Sequence, residues 1–399
     1  MSSLVNHAWP VTATSKDVYE YFESKVLELE LILQQKKIIV FGAGIRGTLL
    51  SLILEKNGYN EFYFTDNNRA KWGGGINGHL ILPINEVYDD IKNVFVLIAI
   101  ESCATVERQL EAVGFLAGEN YQSLDTTLYD FYIEEFKRKT DGKVLVMGDC
   151  GLTHISLLDE KKDNMADLIK RGVGNDSVKV LAMHGMGMCS FYHILKTYVS
   201  TNDFPEIMVL MANFDTFTGK QHLLPRSQHV ELLERIYDSD VNKQEDFRDY
   251  IDEAKKRMNN FQVEIVGGGG KEDFASRARL YIRYNYMYRL REDNENIVYM
   301  EKILQWLNKN DVKIIVYIPP VNYQLTEKIG IVNFKEKYEM NVTTINNILK
   351  KYKCTLLDFS YLLSENEFSS VMTADETANY EGRCKQANII VKEIKNIFK

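Results

Sequence analysis

The sequence predicts an α/β protein made of two doubly wound parallel-sheet domains. Three observations predict it. Continuous apolar runs, beginning with residues 38–41, read as parallel strands buried on both faces. Each run is followed by a turn and a stretch at helical spacing, so strands and helices alternate. The strand-first pattern then restarts after residue 142, at KVLVMGDCG. Two units suit a chain of 399 residues, given about 150 residues per domain.

The first element is a helix over 17–36, DVYEYFESKVLELELILQQK. Tyr19, Phe22, Val26, Leu29 and Leu33 recur at helical steps and form one apolar stripe. The stripe packs on the next domain or on a second subunit, so a homo-oligomer is one arrangement it allows. Its acidic face argues against a membrane surface. After the strand at 38–41 come a glycine turn and a helical run. EFYFTDNN reads as a second strand ending at Asp66, 79–82 and 93–99 as further strands, and 103–113 as a helix. Residues 125–142 are a charged helix and turn. The later strands are 178–183, 206–214, 312–320 and 354–360, with helical patterns between them. Residues 220–262 are charged and mostly helical, and the glycine run 267–270 is a turn. The aromatic and basic run 277–293 reads as a helix with tyrosines on the core and arginines in solvent, rather than a stacking platform for nucleic acid. The expected organisation is an N-terminal helical segment (1–35), a first domain (36–142) and a second domain (143–399) with a helical insertion at about 220–290.

Composition narrows the function. The chain is 45% hydrophobic and 26% charged, with 48 Lys plus Arg against 56 Asp plus Glu, a net charge of −8. That excludes collagen-like and wholly disordered chains. It also argues against a nucleic-acid binder that relies on a general basic field. Five cysteines without a CxxC pair argue against a disulfide framework or zinc ribbon. No signal peptide and no apolar stretch of spanning length are visible. A cytoplasmic, reducing setting is expected.

Gly42, Gly44 and Gly47 form Gly-x-Gly-x-x-Gly directly after a buried strand and at the start of a helix. The first permits a tight turn, the second lets a diphosphate approach the backbone, and the third lets helix and strand pack closely. The helix N-terminus offers free N–H groups to phosphates. Asp66 lies 19 residues past Gly47, where ribose hydroxyls would sit. FGAGIRG, TDNN, KWGGGINGHLILPINEV and VLIAI together resemble the NAD-like Rossmann domains of enzymes that modify nucleotide sugars and build surface polysaccharides. The resemblance covers about residues 36–115. It implies NAD(P) or a nucleotide-sugar as ligand, or a scaffold that kept only the fold. No Tyr-x-x-x-Lys pair follows at the place a short-chain reductase needs it. An NAD-dependent oxidoreductase would also leave residues 143–399 without a role.

Four short blocks in the second domain, VLVMGDCG, MHGMGMC, MVLMANFD and TADETANYEGR, each sit beside an apolar run. In this order they resemble the SGNH (GDSL-type) hydrolase superfamily and its acyltransferase branches, a flavodoxin-like fold, over about residues 143–399. The resemblance puts Cys150 at the place of the serine nucleophile. The following helix N-terminus is expected to lower its pKa, and adjacent Asp149 to oppose that. Gly187, with Gly185 as the other candidate, falls at the oxyanion-hole glycine. Asn213 falls at the oxyanion-hole asparagine, and Asp375 at the triad acid. Three positions depart from the family. Cysteine replaces serine, Met211 replaces a glycine, and Ala378 stands where the triad histidine belongs. His184, just past its strand, is then the candidate base, because strand C-termini converge at one sheet edge. His154, one helical turn after Cys150, is the other. The spacing of Cys150, His154 and His184 matches no zinc pattern closely, and no metal is expected. The resemblance implies an acyl-group transferase or esterase acting on a glycan, nucleotide-sugar or related small metabolite. The alternative is a non-catalytic binding protein with two degenerate enzyme folds.

Overall fold

The computed structural model describes residues 13–89, 91–100, 103–125, 128–218, 228–259, 274–369 and 377–399. The chain is an α/β protein with two parallel-strand sheets. It divides into two compact units between Leu128 and Tyr129.

The six strands of the first unit's sheet are β1 (Lys37–Phe41), β2 (Phe62–Thr65), β3 (Gly75–Ile76), β4 (His79–Leu82), β5 (Val94–Ile98) and β6 (Tyr121–Ser123). Their spatial order is β3-β4-β2-β1-β5-β6. All pairs are parallel except β3 with β4. The order reverses at β1, so the turn after β1 opens on a crevice between diverging crossovers, where open α/β sheets take ligands. Side chains alternate across the sheet. Ile39, Phe41, Val94, Val96 and Ile98 pack with Val106 and Leu110 of helix Ala104–Glu111. The expected helix over 17–36 breaks at Leu29 into Lys16–Glu28 and Glu30–Leu33. Tyr19, Phe22, Val26 and Leu33 are buried. The longer piece packs on helix Ile45–Lys56, and Lys56 Nζ donates to Tyr19 Oη at 2.7 Å. It therefore belongs to the first unit and is not a separate segment.

The five strands of the second unit's main sheet are β7 (Val144–Gly148), β8 (Val178–Ala182), β9 (Ile207–Met211), β10 (Lys313–Ile318) and β11 (Cys354–Asp358). They form one all-parallel sheet in the order β8-β7-β9-β10-β11. Counted within the unit this is 2-1-3-4-5, a doubly wound order with its switch point between the first and third strands, β7 and β9. Val144, Val146, Val180 and Val209 face helices Met165–Val173 and Tyr380–Ile397. Leu145, Met147, Leu181 and Leu210 face the opposite layer, with helices Met188–Thr201 and Glu295–Lys309. In register, Gly148 pairs with Ala182 and Met147 with Leu210. The loops after β7, β8 and β9 therefore leave one sheet edge side by side.

Two sequence-based expectations shift. Helix Tyr129–Lys137 belongs to the second unit, although the expected boundary was near 142. Its stripe of Tyr132, Ile133 and Phe136 enters the core under β8, and Glu135 accepts from the Val180 N–H at 3.1 Å. The helix expected over 277–293 runs Phe274–Tyr286. It stops because Asn341 takes over the backbone beyond it, accepting from Leu290 N at 2.9 Å and donating to Tyr288 O at 2.8 Å. Ile282 and Tyr286 face the core, whereas Tyr281 and Tyr284 share the exposed side. Residues 267–270 lie outside the described residues.

Candidate functional site

The edge of the second sheet builds a site from three adjacent loops. Strand β7 ends at Gly148, and Asp149 caps the single turn Cys150–Thr153. One carboxylate oxygen, Oδ1, accepts from Gly151 N at 2.9 Å. The other, Oδ2, accepts from Asn213 Nδ2 at 2.8 Å. Asp149 and Asn213 are both buried, so this bond ties the first and third strand ends together across the switch point. It also fixes the Asn213 amide, with one N–H spent on Asp149. Met211 packs closely on this turn, and Leu152 Cδ1 would stand 2.6 Å from a Cβ on Gly148. A Cβ on Gly148 would stand 3.0 Å from Met211 Cβ, and one on Gly151 would stand 2.6 Å from Met211 Cε. Met211, where the sequence resemblance expects a glycine, packs against both of these glycines.

The helix after Cys150 is only four residues long, and the chain is extended again at His154–Ser156. One turn sums few peptide dipoles. The helix N-terminus expected after Cys150 is therefore a single turn.

Two histidines lie beside Cys150. Cys150 Sγ and ring nitrogens of His154 and His184 all lie within 4.8 Å of one another, and all three residues are half-buried. The two imidazoles lie parallel, at 5°, with centroids 6.2 Å apart. Burial pushes His154 down to about 4, and the Arg383 charge adds to that shift. His184 is held through its backbone, because its carbonyl accepts from His229 Nε2 at 2.6 Å. That bond fixes the His229 tautomer, leaving Nδ1 facing the Tyr129 hydroxyl at 3.3 Å. His229 is buried at a left-handed position, φ 45°, at the start of helix Val230–Ser239.

Gly187 precedes helix Met188–Thr201, and Asn296 fills the space beside it. A Cβ there would stand 2.9 Å from Asn296 Oδ1. The same oxygen accepts from Cys189 N at 3.3 Å. Gly185 forms the turn before it, at φ 68°. Asp375 lies outside the described residues. Ala378, where the sequence resemblance expects a histidine, is buried with Leu363 and Phe368. Its carbonyl accepts from Arg383 Nη1 at 2.7 Å. Arg383 is itself buried, donating to Asp159 Oδ2 at 2.8 Å and Asp163 O at 3.0 Å. Arg383, His229 and Tyr129 were not singled out from sequence. Only Arg383 carried a signal, an arginine directly after Gly382 in the fourth block.

In the first unit the three glycines differ in what surrounds them. Gly42 has φ 114°, and a Cβ there would meet Ile100 Cγ2 at 2.5 Å. A Cβ on Gly47 would stand 1.8 Å from Gly42 O, so close packing of helix on strand demands glycine there. A Cβ on Gly44 would meet nothing within 4 Å, which leaves its face open to a ligand. Asp66 points back into this turn. Its Oδ2 accepts from Ala43 N at 2.9 Å and from Lys71 Nζ at 2.7 Å, and its Oδ1 from Asn68 N at 2.8 Å. Lys71 also donates to Ala43 O at 3.0 Å, which places a cation beside the glycine turn.

No family model matches the chain, and no curated protein matches it. Among solved structures it is similar to a GDSL-like lipase from Bacteroides thetaiotaomicron VPI-5482, with a TM-score of 0.36 and 10% identity over 68% of this chain and 98% of that one. It is also similar to a proposed acylhydrolase from Bacteroides fragilis NCTC 9343, with a TM-score of 0.36 and 11% identity over 68% of this chain and 97% of that one. No helix among the described residues is long and apolar enough to cross a membrane.

Proposed function

We propose that the second unit is an acyl-transfer enzyme, an esterase or acyltransferase, with Cys150 as nucleophile and His184 as base. The observation that carries this reading is the thiol sulfur within 4.8 Å of a ring nitrogen of His184, at the switch point of a doubly wound sheet. Cys150 gives its proton to the imidazole and attacks the acyl carbonyl. The carbonyl π electrons move to oxygen, and the tetrahedral oxyanion is met by Asn213 Nδ2 and the Gly187 N–H. Collapse breaks the bond to the leaving alcohol, which takes the proton from His184. Water or an acceptor hydroxyl, deprotonated by His184, then cleaves the thioester and regenerates the thiol. The Asp149–Asn213 hydrogen bond supports this role by holding the amide in place before substrate arrives. Asp375 keeps its sequence-based place as the acid that orients the catalytic groups. The substrate class is an O-acylated glycan, nucleotide-sugar or related metabolite, on the resemblance to SGNH proteins.

The first unit in this reading is a Rossmann-like binder of a dinucleotide or nucleotide-sugar. The diphosphate lies on the Gly42–Gly44–Gly47 turn, and the open face of Gly44 and the adjacent Lys71 support this. Asp66 already takes three donors, so it offers ribose hydroxyls less than an outward-facing acid would. Bound NAD(P) would supply hydride chemistry, and no step of the acyl transfer uses it. The rival reading, a non-catalytic binding protein, is favoured by one observation: the family's histidine position holds a buried alanine.

The test is turnover of activated esters such as p-nitrophenyl acetate. An active wild type whose turnover vanishes in Cys150→Ala and falls about 10²- to 10³-fold in Asn213→Ala supports the enzyme reading. Turnover that Cys150→Ala leaves unchanged refutes it.

A further inference from the structure

The three side chains at the sheet edge are also a ligand set. Cys150 and His154 bracket one turn and His184 comes from the next strand end, so two separate segments place one sulfur and two ring nitrogens within 4.8 Å of one another. The geometry points to a binding site for a borderline divalent transition-metal ion, with zinc as the fitting example, held by Cys150 Sγ and one nitrogen each of His154 and His184.

Thiolate and imidazole are the donors zinc takes, at about 2.3 Å and 2.0–2.1 Å. Those bond lengths place tetrahedral ligand atoms about 3.3–3.6 Å apart. Small side-chain rotations bring a cluster already inside 4.8 Å to that spacing. Hard cations are disfavoured, since calcium and magnesium require oxygen donors and the set holds none. Asp149, adjacent to Cys150 in the chain, accepts from Gly151 and Asn213. All three residues are half-buried, so an ion can enter. Three protein ligands leave a fourth position open, the coordination of zinc sites that take water or substrate. The inference stands independently of the acyl-transfer reading but touches it at one atom. A sulfur bound to zinc is not available to attack a carbonyl, so metal and acyl group compete for Cys150.

The test uses the full chain stripped with a chelator and then titrated with Co²⁺ and Zn²⁺. One ion is expected to bind per chain, with a thiolate-to-cobalt charge-transfer band in the wild type and a rise in melting temperature with metal concentration. Cys150→Ser, His154→Gln and His184→Gln are each expected to weaken binding more than about 100-fold, beyond the usual cost of losing an outer-shell partner. Melting of the metal-free variants checks that they fold. Because the charge-transfer band is read on the wild type, a misfolded variant does not remove the test. Absence of stoichiometric binding, or a cobalt spectrum without thiolate character, overturns the inference. Ester turnover by the stripped protein is measured in parallel. Turnover without metal binding removes this inference and leaves the enzyme reading standing. Metal binding without turnover does the reverse, and turnover that Zn²⁺ abolishes supports both.

Discussion

His193 carries the clearest prediction at the scale of a single residue. Its side chain is buried between the rings of Phe247 and Tyr250, with centroids 5.0 and 4.8 Å away. Neither ring nitrogen has a hydrogen-bond partner among the described residues. Burial pushes its pKa from 6.5 down to about 4. The unfolded chain therefore binds a proton between pH 6.5 and 4 that the folded chain refuses, and stability falls as pH drops through that window. The full effect is roughly 3 kcal/mol at about 1.36 kcal/mol per unit. His193→Phe should reduce this acid limb, with His154, also held down to about 4, supplying a remainder, as read by urea unfolding at pH 7.5 and pH 5. An unchanged difference between the two pH values would show that His193 is not its source. At the same scale, the Asn213 side chain donates to Asp149 Oδ2 at 2.8 Å, which ties the ends of β7 and β9 together.

At the scale of elements, two joints are open to measurement. Helix Tyr129–Lys137 is fastened to β8 and to helix Met165–Val173 through Glu135. This carboxylate meets Arg138 Nε at 2.8 Å, Lys170 Nζ at 2.9 Å and the Val180 N–H. Burial alone would raise its pKa, but the two cations and the amide outweigh it and hold the group at about 2. Its contribution is present above the ordinary carboxylate value of 4.5 and is lost as pH falls through 2, roughly 3 kcal/mol in all. Glu135→Gln should lower stability at pH 7 and narrow the gap to wild type at pH 2–3. The second joint is the glycine turn of the first unit. Gly47→Ala forces a Cβ to within 1.8 Å of a carbonyl oxygen and should destabilise the unit by several kcal/mol, as overpacking and backbone displacement do. Gly44→Ala meets no atom within 4 Å and should leave the melting temperature within about a degree. If the open face of Gly44 takes a diphosphate, that same variant loses the thermal shift given by dinucleotides or nucleotide-sugars.

At the scale of the whole molecule, the long buried strands and the convergence of Cys150 with His184 were legible in the sequence. Both follow from local patterns: buried parallel strands are continuous apolar runs, and their C-terminal loops must share an edge. The short strands Gly75–Ile76 and Tyr121–Ser123 were not legible. What the sequence hid depends on distant pairing. His229, 45 residues past His184 and within a motif-free insertion, holds the His184 carbonyl. The stripe on Tyr129–Lys137 shows that a helix is amphipathic but not which core receives it. Asp66 sits where the motif expects it, yet Lys71 and the Ala43 N–H turn it inward. Ala378 and Met211 were visible departures, but only packing shows that one is buried in an apolar cluster and the other is matched by Gly148 and Gly151. The central claim, covalent acyl transfer through Cys150, is tested most directly by intact mass of the metal-free protein quenched within seconds of mixing with an acyl thioester or activated ester. The account predicts one acyl group per chain, mapped to Cys150 by peptide mass, discharged by hydroxylamine and absent from Cys150→Ala. A chain that stays unmodified, or that is modified equally in Cys150→Ala, would contradict it.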